Sequence, residues 1–171
     1  MAKISEQQIK EQDIDWYCLI NGRPAHIASM GGMIPSIFRE RDILRMQQEM
    51  VAEMEPMTNA VLNDANIQIM IADGYEYLQD QMISAAIVAA NRNNPGFAYL
   101  SDSELPIRLF ASTFVEKARR GFRSFARKED AEGNEYILIA EPVGAVEYEW
   151  RGLELEELIC EQSEDGNSIT F

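Results

Sequence analysis

IDWYCLINGRPAHIAS, residues 14–29, decides the fold class. Two runs of strand-forming residues flank Asn21-Gly22, and that pair favours the positive φ angles of a type I′ hairpin turn. A two-residue turn fixes the register. Ile20 stands opposite Arg23, Leu19 opposite Pro24, Cys18 opposite Ala25 and Tyr17 opposite His26. Trp16, Cys18 and Ile20 then face one way, with Tyr17 and Leu19 facing the other, because strand side chains alternate. Pro24 has no N–H to give a ladder, so the second strand is expected near a sheet edge.

On the N-terminal side, residues 1–13 are polar and helix-tolerant and are expected to fray. On the C-terminal side, Met30 to Ser36 reads as a connection in which Gly31-Gly32 supplies sharp turning. A helix is predicted from Ser36 to Met54. Its apolar stripe would be Ile43, Met46, Met50, Met54 and Met57 with Val51, opposite Arg41, Arg45, Gln48, Glu49 and Glu53. Pro56 ends it. Residues 57–72 fit helical or irregular structure up to Ala65, or a short strand over Ile67 to Ile71.

Asp73 is a natural N-cap, with Glu76 completing the capping box, for a helix running to about Asn91. Asn93-Asn94-Pro95-Gly96 breaks it. Pro106 suits the first turn of a further helix whose stripe is Ile107, Phe110, Ala111, Phe114 and Ala118, with Gly121 as its exit. The period then changes to two. Phe122 to Lys128 and Glu135 to Glu141 read as strands joined by the acidic turn EDAEGN. YILIA is almost continuously apolar and suits an interior strand. AVEYEW follows, and a final pair around Glu157 to Glu161 and Ser168 to Phe171 flanks Asp165-Gly166-Asn167.

These readings give an α+β fold in one globular domain over residues 1–171. It consists of an N-terminal β-hairpin, three to four helices and a C-terminal antiparallel β-meander, with the helices packed on one sheet face. Whether the two β regions share a sheet is left open.

The chain is 46% hydrophobic and 26% charged, a globular rather than a disordered balance. Its formal charge of −14 is uneven. Between Arg108 and Lys128 seven bases face one acid, a net +6, which leaves −20 on the remainder. That field disfavours nucleic acid as a partner and disfavours a membrane surface. The first twenty residues lack the basic start and apolar run of a signal peptide. The most apolar window, Met82 to Ala90, is nine residues long and too short to span a bilayer. The expected setting is cytoplasmic. Cys18 and Cys160 read as two reduced thiols in strand positions, with a bridge between them left as the alternative.

No GxGxxG, GK[ST], GxSxG or CxxC occurs, and the spacing of the carboxylates shows no EF-hand. Neither a cofactor nor a metal is expected. A zinc site on Cys18 and His26 fails on register, which puts the two residues on opposite faces. His26 is the one histidine and hence the one imidazole available as a base near neutral pH; it would need a carboxylate from elsewhere in the chain. Arg119, Arg120, Arg123 and Arg127 could hold phosphate or carboxylate by bidentate contacts, or could simply neutralise acidic neighbours. Arg123 and Arg127 share a strand face with Phe125. Trp16, Tyr17, Tyr148 and Trp150 would anchor a protein partner if solvent-facing.

Three functions fit. The first is a small acidic binding or regulatory protein that acts through contacts with another protein, one with a basic surface. The second is a protein or enzyme that binds a small ligand, phosphate or carboxylate through the arginine cluster. The third is a structural subunit of a homo-oligomer. No recognisable nucleophile or acid–base set marks the chain as an enzyme.

Overall fold

A computed structural model of the chain describes residues 2–72, 104–128, 134–144 and 153–171. In chain order, these contain α1 (Glu6–Glu11), β1 (Asp15–Ile20), β2 (Arg23–Ala28), a 3-10 turn (Ser36–Phe38), α2 (Arg41–Glu53) and β3 (Ala60–Leu62). There follow α3 (Asp64–Ala72), α4 (Glu104–Arg119), β4 (Arg123–Arg127), β5 (Glu135–Pro142), β6 (Glu161–Gln162) and β7 (Ser168–Thr170). The fold is α+β, as the sequence indicates. The helix expected over residues 74–91 and the AVEYEW strand lie outside the described residues.

The β1–β2 hairpin has the expected register, with Tyr17 opposite His26 and Cys18 opposite Ala25. Asn21 and Gly22 both take positive φ, 50° and 73°, as a type I′ turn requires. Both β regions belong to one mixed sheet, ordered β1-β2-β4-β5-β7-β6. The join is a parallel pair between β2 and β4, while the C-terminal pairs are all antiparallel. β2 is therefore interior rather than near an edge. Pairing with β4 begins at Ala25, one residue after Pro24, so the missing N–H costs no ladder bond. β5 has the buried run expected of YILIA, and its far edge is shared by β7 at 135–137 and by β3 at 140–142.

The sheet curls until its ends meet. The run just before β6 returns to the free edge of β1, where Leu19 N–H donates to Glu156 O at 2.8 Å and Leu158 N–H donates to Leu19 O at 2.7 Å. Glu157 also accepts Gly22 N–H with both carboxylate oxygens, at 3.2 and 3.3 Å. The remaining edge is covered by α2, whose Gln48 side chain donates to Asp15 O and whose Gln47 donates to Glu154 O. Among the described residues, this ring of strands leaves no long edge open to another chain.

Inside the ring lie Trp16, Cys18 and Ile20 of β1, Ala25 and Ile27 of β2, Phe125, Tyr136, Leu138, Leu158 and Ile169. One end is stoppered by Ile9, Ile34, Phe38 and Leu44. α3 and α4 pack on the outer face, as expected of the helices, with Ile67, Met70, Ala111, Phe114 and Ala118 against Ala28, Ala126, Ile137 and Ile139.

Three local expectations change. Residues 6–11 do not fray but form α1, because Ser5 and Gln8 make a reciprocal capping box and Ile9 is buried in the stopper. Gly31 fixes how this helix docks. Its φ is +80°, and a Cβ there would stand 2.9 Å from Lys10 O. In α2 the buried line is Leu44, Gln47 and Val51, with Met50 and Met54 half-buried, whereas Ile43, Met46 and Met57 are exposed. The stripe is rotated by about one residue because Leu44 plugs the ring and Gln47 and Gln48 pay for their burial with backbone acceptors. Residues 57–72 resolve into strand β3 followed by helix α3, so Ala60–Leu62 is extended and Ile67–Ile71 is helical. Among the described residues, no helix is long and apolar enough to cross a membrane.

Candidate functional site

The end of the ring opposite the stopper is an open cleft of about 360 Å³. Its walls are the β1–β2 turn, with Ile20, Asn21 and Arg23, the side chain of Arg123 at the start of β4, and the turn from Gln162 to Gly166. Barrel mouths are common ligand sites, and this volume suits a small metabolite. The cleft exists because strand alternation points Ile20 and Arg123 inward at the last rung before two tight turns. The second turn is held by Asp165, whose Oδ1 accepts Asn167 N–H at 3.0 Å and Ser163 Oγ–H at 2.8 Å. Those bonds hold the Asp165 carboxyl below its ordinary range.

Arg123 is only 7% exposed, which is unusual for a guanidinium. Its Nη2 donates to Gly166 O at 2.7 Å, and the group lies 5.3 Å from the Phe125 ring. Nε is buried without a hydrogen bond among the described residues, with Glu141 Oε2 standing 3.6 Å away. Burial draws its pKa down and the Arg23 charge adds to that, against the pull of Glu141. Arg23 itself is exposed and makes no hydrogen bond or ion pair among the described residues.

The four arginines named from the sequence do not form one cluster. Arg123 and Arg127 share a strand face with Phe125 as expected, but that face is the ring interior, and they sit at opposite ends of it. Arg127 Nη1 donates to Met30 O at 3.1 Å beside the stopper. Arg120 turns back to Met54 O and Glu116 O, closing two helix C-termini. Arg119 is exposed on α4. Arg123 alone reaches the cleft, and its partner there is Arg23, which sequence reasoning passed over. The available signal was its place beside Asn21-Gly22 and opposite the inward-facing Ile20.

His26 is fully buried on the outer sheet face. Its Nε2 lies 2.7 Å from Asp15 Oδ1 and its Nδ1 lies 2.5 Å from Ser124 Oγ. Asp15 therefore accepts Nε2–H, and Nδ1 shares a hydrogen bond with the serine hydroxyl. Tyr17 flanks the ring at 5.4 Å and Phe114 of α4 at 6.0 Å. These residue types also make hydrolytic triads, but here the serine has no exposed surface and the solvent-facing member is Asp15, 36% exposed. A nucleophile has to meet its substrate. The Asp15–His26–Ser124 line instead ties β1, β2 and β4 together beneath α4. The carboxylate partner that His26 needed was legible, since Asp15 lies on the same face as Tyr17. Ser124 was not, because it arrives through the parallel β2–β4 pair.

Burial on its own would raise the Asp15 pKa, but the His26 hydrogen bond and charge, with help from Lys117, outweigh it and leave Asp15 below 3.8. A carboxyl depressed on folding stabilises the protein above its unfolded pKa, and that contribution disappears as pH falls through the folded value. Wild-type protein should therefore lose stability relative to Asp15→Asn as pH drops from about 4 toward 2. Urea melts of both proteins across that range test this, and parallel curves would contradict it.

Trp16 and Tyr17 are not surface anchors. They are 0% and 1% exposed, Trp16 inside the ring and Tyr17 beneath α4 beside Phe122. Tyr148 and Trp150 lie outside the described residues. Cys18 and His26 face opposite sides of the hairpin, as the register required. Both cysteines are free thiols; Cys18 is in β1 and Cys160 just precedes β6, and burial pushes both pKa values up. No family model matches the chain, and neither a curated protein nor a solved structure matches it.

Proposed function

We propose that this chain is a small-molecule binding protein that receives an anionic group of its ligand, a carboxylate or phosphate, at the ring mouth between Arg23 and Arg123. The observation that supports this is the inward Arg123, more than nine-tenths buried at the edge of an open cleft, with Nη2 on Gly166 O at 2.7 Å and Glu141 Oε2 3.6 Å from Nε. Desolvating a guanidinium is costly, and a bidentate anion would offset that cost. The free thiols support a reducing, cytoplasmic setting. Isothermal titration with L-serine, 3-hydroxypropionate and inorganic phosphate tests the reading. Arg23→Ala should weaken the binding probe about tenfold to a hundredfold, the value of one charge-assisted contact, while Arg119→Ala leaves it unchanged. Failure of all three to bind, or unchanged binding by Arg23→Ala, would overturn it.

A second reading, contact with a protein that brings basic groups, is supported by four large apolar side chains exposed within residues 33–46. Met33, Ile37, Ile43 and Met46 are 43–64% exposed on a chain of net −14. They replace Trp16 and Tyr17 as the candidate anchors.

A further inference from the structure

Resting on the ligand-binding reading above, we infer that the group recognised at the ring mouth is zwitterionic, the ammonium–carboxylate head of an α-amino acid, rather than a simple anion. The inference comes from the charge balance of the walls. Arg23 and Arg123 supply two positive charges, and Glu164 and Asp165 in the facing turn supply two negative ones. Glu141 stands 3.6 Å from Arg123 Nε and takes part of its charge. Phosphate would meet two arginines but also two carboxylates within one small cleft, on a protein whose net charge of −14 already repels it. A ligand with one charge of each sign carries no such penalty.

The chemistry of the individual groups points the same way. The exposed guanidinium fork of Arg23 matches a carboxylate, and the Arg123 charge stands in the same cleft. Glu164 is exposed and makes no hydrogen bond or ion pair among the described residues, leaving a carboxylate available to an ammonium. Asp165 uses Oδ1 to hold its own turn, so its place is fixed, and it contributes a charge at a set position. Gln162 and Ser163 add neutral polar groups to the lining. Charges of both signs therefore line one cleft, which is the pattern that orients a dipolar head.

Matched probes separate this inference from the reading beneath it. L-Serine, L-glutamine and L-arginine are each titrated beside the same acid lacking the amino group, against wild-type protein and Glu164→Gln. At least one amino acid should bind about tenfold more tightly than its des-amino partner. Glu164→Gln should abolish that difference by weakening the amino acid, while the des-amino acid, relieved of a nearby carboxylate, binds at least as tightly as to wild type. If every des-amino acid that binds does so as tightly as its amino acid, the zwitterion inference falls and the anion-binding reading stands. If none of the six binds wild-type protein, both fall. Melting curves of Glu164→Gln, an exposed turn position, confirm that the variant is folded.

Discussion

Trp16→Ala should destabilise the protein by about 3–5 kcal/mol, the usual cost of deleting a large ring from a closed core. The indole is fully buried inside the strand ring, packed 4.8 Å from Phe38 and edge-on to Phe171 at 5.8 Å. Phe171 in turn stacks on Tyr136 at 5.1 Å, so the aromatic group links β1, the stopper and the C-terminus. For a domain of this length, the loss corresponds to a fall in melting temperature of roughly 10 °C or more. Trp16→Phe should cost much less. It puts a smaller aromatic ring in the same place and deletes an N–H that is buried without a hydrogen bond among the described residues. Urea denaturation of both variants checks this. An alanine variant as stable as wild type would mean that Trp16 is a surface residue and that the ring is misassigned.

His26→Ala should cost about 2–4 kcal/mol, because it strands the buried Ser124 hydroxyl and removes the hydrogen-bonded partner of Asp15. Ring contacts with Tyr17 and Phe114 are lost at the same time. The two bonds on one imidazole predict coupling as well as size. In a double-mutant cycle with Asp15→Asn, the combined loss should fall short of the sum by about 0.5–3 kcal/mol. Strict additivity would show that the 2.7 Å contact between the two contributes nothing to stability.

The hairpin was legible in the sequence because its register follows from two turn residues and needs nothing from the rest of the chain. The run YILIA and the helix carrying Ala111, Phe114 and Ala118 were legible for a similar reason: composition and spacing within one segment state how deeply it is buried. The parallel β2–β4 pair was not legible, since it joins segments almost a hundred residues apart and no local signal encodes that meeting. The ring closure at Leu19 was hidden in the same way, because Glu156 and Leu158 lie in a stretch that pairs at only one rung.

α2 shows how a correct helix can still be given the wrong face. Ile43, Met46 and Met50 and the line Leu44, Gln47 and Val51 are both credible stripes at helical spacing. What selects the second is tertiary, the fit of Leu44 into the stopper and of Gln47 and Gln48 onto backbone carbonyls. The arginines divide similarly. That Arg123 and Arg127 share a face follows from strand alternation, but whether that face lines a core, a cleft or solvent depends on how the sheet curls. Arg23, the one lysine or arginine between Lys10 and Arg39, carried no clustering signal at all.

The most direct measurement is the 15N–1H spectrum of the arginine Nε–Hε groups while L-serine is added at mildly acidic pH. The expected result is a saturable shift of the Arg123 and Arg23 signals, with Arg119 and Arg127 unmoved. An Arg123 signal that stays in place at saturating ligand, or arginine signals that all drift together, would contradict a ligand site at the mouth of the ring.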